Sequence, residues 1–221
     1  MDADRTTSER LFEAFCAEHE IPCAFIPRAR SRTADCRLTL GAREVTAEVK
    51  QLDPGPADLE ISRALAATGR AAVVLVPGAR VRQEITDSRK QLRAQAKGRH
   101  PAMLVLYDNT GGRTGMIAPH DVLVAMYGEE RVEFELVREP SASKPHFRFV
   151  TGGNRGVDRA ANTTPSAVAA LGGGVGYATL RVYHNCYAAL PIDPESLRGP
   201  RVHHFAVTLP REGMFRDWYA L

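Results

Sequence analysis

Cysteine is scarce, and its spacing excludes two common uses. Cys16, Cys23, Cys36 and Cys186 form no CxxC pair and match no zinc-ligand spacing. A disulfide framework is not expected in a chain of 221 residues without a secretion signal, so the thiols read as small buried hydrophobes. Long apolar runs are also missing, and nothing approaches the roughly 20 residues of a membrane-spanning helix. The first nine residues are polar and acidic with no apolar stretch behind them, which predicts a soluble, cytoplasmic protein with no membrane partner. Neither an internal repeat nor a low-complexity tract interrupts an ordinary globular composition. Strong charge of one sign is absent too: a net charge of +3 permits a nucleic-acid partner without arguing for one.

What is present is a legible order of elements. Thr6, Thr7 or Ser8 can cap a first helix whose apolar face carries Leu11, Phe12, Phe15 and Cys16, and Pro22 ends it. Cys23–Ile26 reads as a short strand. Cys36, Leu38 and Leu40 alternate with polar residues, and so do Val45, Ala47 and Val49 after a glycine-containing turn, which predicts a β-hairpin. A two-residue Ala42-Arg43 turn would set Arg37 opposite Glu48 and Asp35 opposite Lys50; a shift of two keeps them on one face. Asp58–Thr68 and Gln83–Lys97 read as helices ended by Gly69 and Gly98. Ala71–Val76 is a strand or a helical continuation, and Ala102–Tyr107 a strand buried on both faces. Beyond Asn109 a helix is predicted at His120–Tyr127, and strands near Val132–Arg138, Phe147–Val150, Ala178–Tyr183 and His204–Leu209. Thr164-Pro165 is predicted to start a further helix through Leu171, broken by Gly172-Gly173-Gly174.

The hairpin carries the candidate chemistry. Asp35 starts one strand, and Glu48 and Lys50 share a face of the next because strand side chains alternate. Two carboxylates offer hard oxygen ligands for Mg²⁺, and the Val49 carbonyl between Glu48 and Lys50 offers another. An ammonium beside them suits a reaction that builds negative charge on a phosphoryl group.

An acid on the first helix, then Asp35, then Glu48-Val49-Lys50, then a helix and a buried strand resembles the PD-(D/E)XK nuclease superfamily over roughly Ser8 to Asn109. The resemblance implies an α/β, restriction-endonuclease-like αβββαβ core, a mixed sheet flanked by helices, over residues 1–109. Pro54–Gly78 would be an insertion, and residues 110–221 a C-terminal α+β extension continuous with the core. It implies a metal-dependent nuclease, with DNA favoured over RNA, using Mg²⁺ or Mn²⁺. Catalytic residues would be Asp35, Glu48, Lys50 and Gln51, and metal ligands Asp35, Glu48, Val49 and Glu9, with Glu13 as substitute for Glu9. Ala34 departs from the proline that usually precedes the aspartate. The alternative is an inactive nuclease-fold module that binds nucleic acid or a protein partner in defence or repair; a homodimer is a family expectation.

Two basic groups are candidate nucleic-acid contacts. Arg28, Arg30 and Arg32 alternate just before Asp35, and Arg89, Lys90, Arg93 and Lys97 belong to a stretch from Arg80 to Arg99 with seven basic residues against two acids. A solvated helix face accounts equally for the second group. His184-Asn185 and His203-His204 lack metal spacing and read as structural or substrate-contacting. Gly172 to Gly176 follows a predicted helix rather than preceding one, so it reads as a hinge or tight turn, not a phosphate cradle.

Overall fold

A computed structural model describes residues 5–26, 34–72, 76–110, 117–134, 147–151, 153–208 and 216–221. Arg28, Arg30 and Arg32 lie outside these residues, as do parts of the predicted strands at 71–76 and 132–138.

Helix α1 spans Thr7–Glu18, and its start follows from side-chain chemistry: Thr6 accepts from Glu9 N while Glu9 Oε2 accepts from Thr6 N, a reciprocal cap. Strand β1 (Cys23–Phe25) pairs antiparallel with β2 (Cys36–Leu40), and β2 with β3 (Arg43–Leu52). The hairpin register differs from the expected one by two residues, with Leu40 opposite Arg43 and Cys36 opposite Ala47. The cause is Gly41, which takes φ +60° at the first turn position, so Gly41-Ala42 rather than Ala42-Arg43 turn the chain. Arg37 therefore lies opposite Thr46, and Asp35, one residue past the ladder, falls level with Glu48 rather than Lys50.

Helix α2 (Pro56–Thr68) contributes no buried residue and leaves Leu59 and Leu65 exposed. Helix α3 (Ala79–Ala96) instead buries Val81, Ile85, Ser88, Leu92 and Ala96, one stripe at helical spacing. Strand β4 (Ala102–Asp108) then runs parallel to β3. Helix α4 (Pro119–Tyr127) packs against α3 where Gly78 caps it. Gly78 sits at φ +68°, and a Cβ there would meet Asp121 O at 2.5 Å and Ala125 N at 2.7 Å. Gly78→Ala is expected to destabilise the protein by more than about 2 kcal/mol, through backbone strain plus a backbone clash. Urea unfolding measures this, and an unchanged midpoint would refute the close approach.

β5 (Glu130–Phe134) and β6 (Phe147–Thr151) form a separate two-stranded hairpin. The predicted helix from Thr164 to Leu171 is instead strand β7 (Pro165–Gly172), parallel to β4 and antiparallel to β8 (Thr179–His184). Ala167, Ala169 and Leu171 enter one core while Val168 and Ala170 enter the other, so the run is apolar because both its faces are covered. Pro165 suits the first strand position as well as it suits a helix start. The glycine run turns β7 into β8, with Gly173 at φ +88°. β9 (Val202–Val207) pairs parallel to β8, and β10 (Trp218–Ala220), which the sequence reading missed, closes the edge.

The result is a mixed α/β fold with one eight-stranded sheet in the order β1-β2-β3-β4-β7-β8-β9-β10, so the sheet continues from the N-terminal half into the C-terminal half. α1 covers one face, where Phe12 and Phe15 are fully buried with Val45, Ala47 and Val49; burying each Phe stabilises by roughly 1.5–3 kcal/mol. α3 and α4 cover the other, where Leu52, Leu104 and Met126 sit. Cys16 and Cys36 are buried on the α1 side, half-buried Cys23 meets both thiols, Cys186 is exposed, and all four are free. No described helix is long and apolar enough to cross a membrane.

Candidate functional site

The α1 face of β3 takes Val45, Ala47 and Val49, so alternation sends Glu48 and Lys50 to the α3 face. Glu48 is fully buried there. Lys50 Nζ stands 2.6 Å from Glu48 Oε1 as an ion pair, yet neither carboxylate oxygen has a partner in hydrogen-bond geometry. An ammonium at that distance acts on the carboxylate whatever its angle. Oε2 has no ion pair and no partner in hydrogen-bond geometry among the described residues, although the Asp35 backbone amide is close enough to favour the ionised Glu48 carboxylate.

Asp35 is fastened beside it. Its Oδ2 accepts from Val49 N at 2.7 Å, just where β2 has ended and no longer pairs with β3. The amide and carbonyl of one strand residue point to the same side, so the Val49 carbonyl faces the Asp35 side as well. Asp35, Glu48 and the Val49 carbonyl are thus gathered at the end of β2. Arg37 and Thr39, on the same face of β2, are exposed.

Electrostatics match this crowding. Burial pushes the Glu48 carboxyl up to about 7, the Asp35 charge adds to the rise, and Lys50 opposes it. Burial alone would lower the Lys50 ammonium, but the Glu48 contact and the charges of Glu48, Asp35 and Glu84 outweigh it and hold it above its usual value. Glu84 on α3 is raised by its own burial, with Lys50 opposing and Asp87 adding to the rise. Glu84 was not singled out in the sequence reading. The available signal was an acid placed between Val81 and Ile85, beside a stripe that must face the sheet.

Other candidates are placed elsewhere. Gln51 is out of phase with Lys50 and turns to the α1 side, where Oε1 accepts from Ser8 N at 3.1 Å and Nε2 donates to Asp53 Oδ1 at 2.7 Å. Asn109 donates to the same Asp53 oxygen, and Arg80 reaches the Asp53 carbonyl and Asp58, so this network ties the loop after β3 to α3. Glu9 is buried and uses Oε2 to cap α1. Glu13, its substitute, pairs with Arg5 at 2.6 Å on the surface. Arg89, Lys90, Arg93 and Lys97 are exposed; Lys90 and Lys97 lie away from the buried stripe of α3, while Arg89 and Arg93 flank it and Arg89 donates to Asn162 Oδ1 at 3.3 Å. At about 1.5 Å per residue, Arg93 and Lys97 lie roughly 14 and 20 Å along the axis from Glu84, so the structure does not bring them to Glu48.

The histidines form a structural chain on the α1 side. His204 Nε2 faces Leu197 O at 2.7 Å and therefore donates; its Nδ1 then accepts from His184 Nε2 at 2.8 Å. Burial lowers His184 to about 4, with His204 adding to the effect, and burial lowers His204 too.

Among the described residues, no three His, Cys, Asp or Glu side chains converge into a metal cage. Mg²⁺ does not require one, since it keeps several waters and uses one or two carboxylates plus substrate phosphate oxygens. Comparison with known proteins adds nothing to this geometry: no protein-family model, no curated protein and no solved structure matches the chain.

Proposed function

We propose that the chain is a Mg²⁺-dependent nuclease of the PD-(D/E)XK kind, with DNA as the substrate by analogy with that superfamily. The observation that carries the reading is Glu48 Oε2, a buried carboxylate oxygen with no partner in hydrogen-bond geometry among the described residues, beside Asp35 and a cationic Lys50. A buried orphan of this kind costs stability unless it serves something else, and a divalent cation is the partner its surroundings suit. The order α1-β1-β2-β3, then α3 and β4 with β3 and β4 parallel, supports the same reading.

Asp35 and Glu48 would hold the metal, with the Val49 carbonyl as a third oxygen. Bound there, Mg²⁺ would polarise a phosphoryl oxygen of the substrate. Lys50 stays charged at neutral pH, so it is no general base; its role is to face the negative charge that builds on the phosphoryl group. Glu84 and Asp35 keep it cationic. Gln51 acts indirectly, by fixing the end of β3 against α1.

The test is cleavage of plasmid, linear DNA and RNA with Mg²⁺, comparing wild type with Asp35→Ala and Lys50→Ala. Cleavage by wild type alone supports the reading, and equal cleavage by all three contradicts it. The exposed basic face of α3 favours one rival, a non-catalytic binder. Salt-sensitive binding that ignores both Mg²⁺ and Glu48→Ala, without cleavage, would select it.

A further inference from the structure

Sheet register links Lys50 to a second cation. Lys50 pairs with Leu106 on β4, Leu106 with Ala170 on β7, and Ala170 with Arg181 on β8. Residues in register share a face, so Lys50 and Arg181 end one row on the α3–α4 side, with only apolar side chains between them. Three strand spacings separate them, roughly 14 Å. Arg181 is half-buried, and no acidic partner or hydrogen bond engages its guanidinium among the described residues. Its charge acts on the hydroxyl of Tyr183, which is buried without a hydrogen-bond partner.

Arg181 opens onto a cavity of about 700 Å³ lined by Asp108, Pro119, Ala170, Gly173 and Tyr177 among others. That volume is in the range of small-molecule sites. It lies at the carboxyl ends of the parallel strands β4 and β7, on the Glu48 side of the sheet. Asp108 also lines the cavity; its Oδ1 accepts from both the amide and the hydroxyl of Thr110, and no ion pair joins it to Arg181 among the described residues. Tyr177 is 68% exposed, and its ring lies against the glycine run: its amide donates to Gly174 O, and a Cβ on Gly174 would strike its hydroxyl at 2.7 Å. The glycine run therefore leaves room for an aromatic ring at the cavity mouth.

We propose that this cavity is a second nucleotide site of the same enzyme, in which Arg181 holds a phosphate and Tyr177 receives the base of an unpaired nucleotide. This rests on the nuclease reading. At about 3.4 Å per nucleotide in a duplex strand, and more in an extended one, the row places that phosphate roughly two to four nucleotides from the cut. A cation without an acidic or hydrogen-bonding partner among the described residues, an exposed aromatic ring and an adjacent cavity are the parts that single-strand recognition uses. The enzyme accordingly takes substrates with a single-stranded stretch beside the scissile bond.

The test is fluorescence anisotropy with a short labelled single-stranded DNA, using a Glu48→Gln background so that nothing is cut. Arg181→Ala should reduce the slope of log K against log salt by about 0.7, while Arg181→Lys keeps it. Tyr177→Ala should weaken binding roughly 5- to 150-fold with the slope unchanged. Val175→Ala, an exposed neighbour on the same turn, should change neither. Thermal melting of each variant checks folding. An unaltered slope in Arg181→Ala overturns the phosphate site, and unaltered affinity in Tyr177→Ala overturns the base contact. If DNA is cut normally while both variants bind as the parent does, only the second site falls. If the wild type neither binds nor cuts nucleic acid, the nuclease reading falls with it.

Discussion

Lys50→Ala is expected to lower the rate of Mg²⁺-dependent cleavage by about 10²–10³-fold, the usual loss when one aligned donor to a developing oxyanion is removed. The reason is local. Lys50 keeps its charge because Glu48, Asp35 and Glu84 surround it, and that charge stands 2.6 Å from the carboxylate that would hold the metal. Loss should fall on kcat more than on KM, since an interaction made mainly in the transition state does not tighten ground-state binding. Asp35→Ala should cost at least as much, because it removes a proposed metal ligand and also frees the Val49 amide it holds at 2.7 Å. Lys50→Arg should recover part of the rate by keeping the charge with a different reach. A kcat in Lys50→Ala within twofold of wild type would exclude the electrostatic role.

Metal-free Glu48→Gln protein is expected to be more stable than wild type above neutral pH and to lose that advantage in acid. Glu48 titrates at about 7 in the fold against 4.5 for an ordinary glutamate, so the folded state binds its proton more tightly. Its contribution is fully present below 4.5, is lost as pH rises through 7, and is level beyond that. A shift of this size corresponds to about 3 kcal/mol at most, or several degrees in Tm for a chain of this length. Comparing variant with wild type at each pH cancels His184 and His204, whose lowered values make acid destabilising for both proteins. Adding Mg²⁺ or Mn²⁺ should reverse the order, since only wild type binds the ion that stabilises its carboxylate. Identical pH profiles for the two proteins would show that Glu48 is not held at a cost.

Strand alternation made the hairpin and its three polar residues legible, because a period of two needs no tertiary information. The same parity shows that Gln51 cannot share a face with Lys50, a point visible in the sequence and overridden by the family pattern. The register was not legible, since it turns on whether Gly41 or Ala42 takes the first turn position. β7 was hidden for a different reason: Ser-Ala-Val-Ala-Ala-Leu is apolar throughout, so it has no period, and only burial from both sides identifies it as a strand. That error concealed the row from Lys50 to Arg181, which exists only once β7 lies between β4 and β8. Glu84 required the phase of α3 against the sheet, and Glu9 the knowledge that its carboxylate closes a helix cap.

The central claim is that Glu48 Oε2 is a metal-ligand position rather than a tolerated defect. A crystal soaked in Mn²⁺ and measured for anomalous scattering tests it most directly. The account predicts one peak within bonding distance of Asp35, Glu48 Oε2 and the Val49 carbonyl, and none there in Glu48→Gln crystals. Full saturation with Mn²⁺ and no peak between Asp35 and Glu48 would contradict it.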